Sequence, residues 1–260
     1  MSIFTNEIKR LIFTVLGVSI FLLALVWVGS NYLTIANSLV HAFNTVTGQK
    51  TYDMVYSNNL DKSKTYLISI DTDQGVMTFQ MDKDNTSNTT NNIYNLYKND
   101  FYKGSTFIQK NDKYILLGKG GNPSYTNVKY SIKEEINAVN LNLDHIKVNQ
   151  YTTVLKNVYD DSLLKANANI SVKQFYESLG YSYQNNISTS IIKKGSLVMY
   201  SQEPGKFGNQ FFISSVNSIP EIDGRMTKFG DIQSGQDVLD KIISTNPASL
   251  KLNSISISLR

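Results

Sequence analysis

At 260 residues the chain has room for one good-sized domain with attachments, and 41% hydrophobic and 11% aromatic content is that of a globular protein. With no cysteine and only His41 and His145, it can form no disulfide, thiolate nucleophile or Cys-ligated metal centre, a His-based zinc site is disfavoured, and no metal or cofactor is expected. The formal net charge of +4 is modest and the lysines are scattered rather than gathered into a basic stripe, so nucleic acid is not an expected partner.

Residues 1–10 end in Lys9 and Arg10, and LIFTVLGVSIFLLALVWVG, residues 11–29, then carries no charge. At about 1.5 Å per helical residue this run spans roughly 28 Å, close to the hydrocarbon thickness of a bilayer. The next basic residue is Lys50, so the positive-inside rule places 1–10 in the cytoplasm and everything after the span outside, with Trp27 and Tyr32 at the far interface. The run is longer than a signal-peptide core and no small-x-small site closes it. An uncleaved single-pass anchor in the cell membrane is therefore expected, in preference to a cleaved leader.

Leu33, Ala36, Val40, Phe43 and Val46 recur at helical spacing up to Gly48. This reads as a juxtamembrane spacer; the alternative is an assembly helix of a larger envelope complex. Gln49–Lys64 is polar linker, which makes 30–64 a juxtamembrane helix and linker and puts the folded domain at 65–260.

The domain opens with TYLISI and VMTFQM around DTDQG, a strand-turn-strand pattern in which Met77, Phe79 and Met81 alternate with polar or smaller residues. NTSNTTNN reads as low-complexity polar sequence, followed by one short helical face at Ile93, Leu96 and Tyr97. STFIQKNDKYILLG reads as a further pair of strands. Tyr151, Val154, Leu155 and Val158 have helical spacing, as do Val172, Phe175, Tyr176 and Leu179. Ser171 and Gln174 mark a capping box at the start of the second helix, and Gly180 suits its C′ position. Strands return at GSLVMYS and NQFFISS, SGQDVLDKII is a short helix, and LKLNSISISL is a closing strand. Many short strands with few helices favour a closed or sandwiched β structure.

Three blocks in this order carry a resemblance. GSLVMYSQEPGKFGNQFFI resembles the cyclophilin segment G-x-L-x-M-A-N-A-x-P-x-x-N-G-S-Q-F-F-I without a gap. IDGRMTKFGDIQSGQDVLDKI is similar to that family's L-D-G-x-H-x-V-F-G-x-V-x-x-G-x-x-V-V-x-x-I, and FYKGSTFIQK to its G-F/Y-Y-D-G-x-x-F-H-R. The resemblance implies a mainly β domain: an eight-stranded antiparallel β-barrel with two capping helices, here with a helical insertion at about 137–186 and the N-terminal transmembrane helix. FYESLGYSYQ within the insertion resembles a segment of some bacterial cyclophilins, and the Asn-, Lys-, Ile- and Tyr-rich composition points the same way.

The family's activity is peptidyl-prolyl cis-trans isomerisation, which needs no nucleophile or metal because the barrier of about 18 to 20 kcal/mol arises from amide resonance. A pocket must hold the proline ring, and a donor, an Arg in the family, must act on the prolyl nitrogen in the twisted transition state. Position by position, Gln109 stands for that Arg, so activity is expected to be weak or lost; a charge-assisted bond is roughly twice as strong as the neutral one Gln109 can offer. Lys110, the next residue, points to the opposite face of a strand. The substrate-binding set implied is Phe107, Tyr114, Ile115, Leu117, Tyr200, Ser201, Gln210, Phe212, Ile222 and Met226, with Glu221 at the family Trp, Met226 at its His, and Tyr200 and Ser201 in place of Ala-Asn. Phe107, Phe211 and Ile213 also read as barrel core, and Gln210 and Phe212 as either packing or pocket. The expected partners are proline-containing segments of exported or membrane proteins. A non-catalytic binding module or chaperone is the competing reading.

Overall fold

The computed structural model describes residues 60–260. The span expected at 11–29 and the helix expected from Leu33 to Val46 lie outside them. Among the described residues no helix is long and apolar enough to cross a membrane.

The first hairpin forms where alternation puts it. β1 (Tyr66–Thr72) buries Tyr66, Ile68, Ile70 and Thr72, and β2 (Gly75–Met81) buries Met77, Phe79 and Met81, with Ile68 opposite Phe79 and Ile70 opposite Met77. Residues facing each other across antiparallel strands share a face, so the pairing joins two apolar rows on one side of the sheet. After α1 (Ser87–Lys98) come β3 (Gln109–Lys110) and β4 (Tyr114–Leu117). A helical stretch follows, made of α2 (Thr152–Leu155), α3 (Asp161–Ala166) and α4 (Val172–Ser178). The chain then returns to the sheet as β5 (Ser196–Met199), β6 (Phe211–Ser214) and β7 (Lys228–Ser234), and ends with α5 (Gln236–Ser244) and β8 (Leu252–Leu259).

All eight strands form one antiparallel sheet in the order β3-β4-β6-β5-β7-β2-β1-β8. The expected closed barrel is thus a curled sheet whose end strands, β3 and β8, are not hydrogen-bonded to one another. β3 has only two residues, too few to carry a ladder on both sides. α1 packs against β8 and α5 against β2, in the position of capping helices.

α1 departs from the sequence reading. The Asn- and Thr-rich tract, read only as low-complexity polar sequence, forms its first half, with Thr89, Asn92, Ile93 and Leu96 buried along one face. Thr86 at its N-cap makes no side-chain cap bond. The amides of Asn88 and Thr89 instead donate to the two oxygens of Glu135, at 2.9 and 2.8 Å. A carboxylate at a helix N-terminus satisfies orphan amides and complements the helix dipole, and here it arrives from the other side of the fold. Burial raises the Glu135 carboxyl pKa, with the two amide bonds acting in the opposite direction.

The insertion has a core of its own, built from Leu143, Val148, Leu155, Val172, Phe175 and Tyr176 among others. The capping box is present: Gln174 N–H donates to Ser171 Oγ at 3.1 Å and Ser171 N–H to Gln174 Oε1 at 3.0 Å. Gly180 lies at C′ with φ +101°. α3, which the periodicity did not mark, adds Leu164 to this core. Between insertion and sheet runs the segment from β6 to β7. Its Asp223 is buried and accepts from the Ile192 amide at 2.9 Å. Burial pushes the Asp223 carboxyl up to about 6, against the pull of the Ile192 bond and Lys228.

Two stability measurements follow from these buried carboxylates. Glu135→Ala is expected to destabilise the chain by about 2 to 3 kcal/mol in urea unfolding, because two helix-end amides lose a charged acceptor; Glu135→Gln, which keeps one acceptor oxygen, should lose less. For Asp223, the folded chain holds a proton between about pH 4 and 6 that the unfolded chain has released. Its contribution to stability therefore falls as pH rises through that window, by up to about 3 kcal/mol, and is flat above it. Asp223→Asn keeps an acceptor for Ile192 and should flatten this part of the pH–stability curve while raising stability at pH 7.

Candidate functional site

The ladder fixes which residues can meet. Gln109 pairs with Leu116, Leu116 with Phe212, and Phe212 with Val198, so one row crosses β3, β4, β6 and β5 on a single face. The adjacent row is Lys110, Ile115, Ile213 and Leu197, on the opposite face. Leu116, Phe212 and Val198 are buried together with Ile192 and Ile219, and half-buried Tyr114, Tyr200, Val216, Ile222 and Met226 surround them. Five of the implied substrate-binding residues, Tyr114, Tyr200, Phe212, Ile222 and Met226, are therefore brought into one apolar cluster.

The Tyr114 ring centroid lies 5.0 Å from that of Phe212 and 6.2 Å from that of Tyr200. Tyr200 thus packs onto the aromatic floor, and its amide donates to the Gln210 carbonyl at 2.9 Å. Burial, then the neighbouring Tyr200, raises the Tyr114 hydroxyl pKa. Ile222 and Met226 come from two successive turns, in which Ile219 O accepts from the Ile222 and Asp223 amides and Ile222 O from those of Arg225 and Met226. This spacing puts residues 219, 222 and 226 on one side of the segment.

Other members of the set are placed differently. Ile115 and Leu117 are fully buried opposite Ile213 and Phe211, on the inner face of the sheet, and offer no surface to a peptide. Leu116 occupies the cluster in their stead. The physical reason is the two-residue period: if Tyr114 faces the cluster, Leu116 must as well. Phe107 precedes β3 and is only half-buried, not core, whereas Phe211 and Ile213 are fully buried. Ser201 is half-buried, and its hydroxyl is used locally, donating to Glu203 O at 2.7 Å.

Gln109 is exposed at the end of its row. Lys110 Nζ donates to the Thr245 carbonyl at 2.7 Å, beyond α5, and so is turned away from the cluster. Glu221 forms an ion pair with Lys113, the residue before Tyr114. That pair joins the β3–β4 turn to the segment carrying Ile222, across the outer end of the cluster. Glu221 raises the Lys113 pKa, burial opposing it. Among the described residues no group of three His, Asp or Glu side chains is arranged to hold a metal.

Beside the cluster lies a depression of about 330 Å³ lined by Asn127, Tyr130, Tyr200, Ser201, Lys206 and Gln210 among others. Gln210 Nε2 donates to Asn127 Oδ1 at 2.8 Å on its wall. Buried Asn209 holds this region together. Its Nδ2 donates to Gly118 O at 2.8 Å, its Oδ1 accepts from Val128 N at 2.9 Å, and its own carbonyl accepts from the Tyr102 hydroxyl at 3.1 Å. Asn92 of α1 ties in from behind, donating to Gly208 O at 2.6 Å. Asn209 and Asn92 carry no motif signature, since their partners lie up to 116 residues away. A similar depression of about 360 Å³ at Lys62–Thr65, Gln80–Asp84, Gly230, Asp231 and Gln233 contains none of the implied site residues.

No curated protein matches the chain. Among solved structures, the cyclophilin type peptidyl-prolyl cis-trans isomerase of Cryptosporidium parvum has 16% sequence identity and a TM-score of 0.49, covering 75% of this chain and 98% of its own. The same protein in the presence of the dipeptide Ala-Pro gives 16% and 0.48, covering 74% and 98%. The sequence model of the family described as cyclophilin type peptidyl-prolyl cis-trans isomerase/CLD matches residues 67–257, from the first strand through most of the last, and the chain belongs to that family.

Proposed function

We propose that this chain is a membrane-anchored, extracytoplasmic cyclophilin-type protein that holds proline-containing segments of exported or membrane proteins and isomerises the X-Pro bond weakly or not at all. The observation that carries the reading is the row Gln109–Leu116–Phe212. It sets a neutral donor at the exposed end of an apolar cluster in which Leu116 and Phe212 are themselves buried and half-buried Tyr114, Tyr200, Ile222 and Met226 supply the surface for a proline ring, while the adjacent cation, Lys110, is committed to the Thr245 carbonyl on the other face. Transition-state stabilisation at the prolyl nitrogen depends on that donor, and a neutral amide supplies about half the strength of a charged one. The packing of Tyr200 against Tyr114 narrows the floor further. The anchor and the outside location rest on the uncharged run at 11–29 and the Lys9–Arg10 pair before it.

The competing reading is an isomerase in which Gln109 itself is the donor; its exposed position on the row of Phe212 is what favours it.

Exchange NMR of an Ala-Ala-Pro-Phe peptide with the full chain in detergent micelles separates the two. The binding reading expects peptide shifts with little or no faster cis-trans exchange, and at least about ten-fold acceleration on Gln109→Arg, corresponding to about 1.4 kcal/mol of added stabilisation. Rapid exchange by the wild-type chain that Gln109→Ala abolishes overturns it in favour of the isomerase. Tyr200→Ala should tighten peptide binding if that ring restricts the floor.

Topology has its own measurement, helped by the absence of cysteine. In intact cells or right-side-out vesicles, a membrane-impermeant maleimide is expected to label Ser254→Cys and to spare Ser2→Cys; the reverse pattern, or equal labelling of both, contradicts the proposed orientation.

A further inference from the structure

The segment that supplies Ile222 and Met226 to the cluster is held from its other side by the insertion. The Tyr183 hydroxyl donates to the Gly224 carbonyl at 2.8 Å and the Tyr151 hydroxyl to the Pro220 carbonyl at 3.2 Å. Gly224 has φ +79°, and a Cβ there would stand 2.2 Å from Leu143 Cδ1, so only glycine lets the insertion core approach this closely. Arg225, the residue between Gly224 and Met226, joins segment and insertion through both hydrogen bonds and ring contacts. Its Nε donates to the Tyr181 hydroxyl at 3.0 Å and its Nη1 to the Glu221 carbonyl at 3.0 Å. The guanidinium carbon lies 5.3 Å from the Tyr159 ring centroid and 5.7 Å from that of Tyr181.

The arrangement has a direction. The Arg225 fork bonds back to the carbonyl of Glu221, whose side chain is already paired with Lys113, and so closes the two turns that carry residues 219 to 226. Its ring partners, Tyr159 and Tyr181, both belong to the insertion. Cation–π contacts and a planar fork fix both position and orientation, which a flexible ammonium does not. With residues 219, 222 and 226 on one side of the segment and 220, 224 and 225 bound on the other, any shift of the insertion moves Ile222 and Met226 relative to Phe212.

We propose that the insertion sets the geometry of the apolar cluster through Arg225, a positioning residue for Ile222 and Met226. The proposal rests on the reading of that cluster as the peptide site only for its effect on binding; the coupling itself is independent of it.

The test uses the full chain with Ile and Met methyl groups labelled, in micelles, with Arg225→Ala, Arg225→Lys and Tyr181→Phe. Arg225→Ala is expected to move or broaden the Ile222 and Met226 methyl signals, leave those of Ile68 and Ile257 in place, and weaken Ala-Ala-Pro-Phe binding about ten-fold. Arg225→Lys should recover only part of the affinity. Tyr181→Phe keeps the charge, so methyl shifts in that variant report position rather than the lost cation, and it serves alone if Arg225→Ala does not fold. Unmoved Ile222 and Met226 signals in a folded variant overturn the proposal. So do shifts spread equally to Ile68 and Ile257; moved Ile222 and Met226 signals with unchanged affinity, in a chain that binds, support the coupling and overturn the reading of the cluster as the peptide site. If the wild type binds no proline peptide, the proposed function fails while the methyl signals still decide this coupling.

Discussion

Across β3, β4, β6 and β5 the ladder sets Gln109, Leu116, Phe212 and Val198 in one row and Lys110, Ile115, Ile213 and Leu197 in the next, on the opposite face. Side-chain alternation in a pleated strand admits no compromise between these rows: a slip of one residue would exchange them entirely. Both rows are largely apolar and buried along β4, β6 and β5, and each ends on β3 in a polar residue, half-buried Lys110 in the inner row and exposed Gln109 in the outer. On the outer face the buried row Val198–Phe212–Leu116 is bordered by half-buried Tyr114, Tyr200, Ile222 and Met226, so that face is not completely covered. The same register directs Lys110 away from the site, leaving its ammonium to bond the Thr245 carbonyl.

Around this pair of rows the chain is held by polar groups acting over long sequence distances. Glu135 closes the N-terminus of α1, Asn92 of α1 bonds the Gly208 carbonyl, and Asn209 spans Gly118 and Val128. Each is buried and each has partners, which is the condition under which buried polar groups specify one arrangement instead of merely costing free energy. Together they connect the helix at the end of the sheet to the loops that border the depression beside Gln210. The residues of the apolar cluster and the polar residues that hold the surrounding elements are thus different sets, and the second is mostly Asn and Glu.

The insertion adds a second core beside the sheet, and the segment between β6 and β7 serves both. One side of it contributes Ile219, Ile222 and Met226 to the apolar cluster; the other meets Leu143, Tyr159, Tyr181 and Tyr183. Glycine at 224 and arginine at 225 have separate tasks there, the first allowing close approach and the second fixing the turns. Asp223, the residue before Gly224, accepts from the Ile192 amide ahead of β5, and burial pushes its carboxyl up to about 6.

The sequence by itself determined the elements whose signals are local. Alternation at Met77, Phe79 and Met81 gave the first hairpin, Ser171 with Gln174 and Gly180 marked both ends of α4, and three separated blocks in order, one of them without a gap, carried the family. Gln109 in place of an Arg was equally legible, because it is a matter of residue identity. Ile115 and Leu117 show what alignment leaves open: it counts positions, whereas the pleat decides faces, and on β4 it is Leu116 that shares the face of Phe212. The Asn- and Thr-rich start of α1 reads only as low-complexity polar sequence because the carboxylate that stabilises it lies at Glu135. The role of Arg225 was invisible for the same reason, since Tyr159 and Tyr181 come from a separate stretch of chain. Local free energies write themselves into neighbouring residues. Burial, cross-chain hydrogen bonds and the meeting of two cores are properties of the folded whole, and only the tertiary structure decided them.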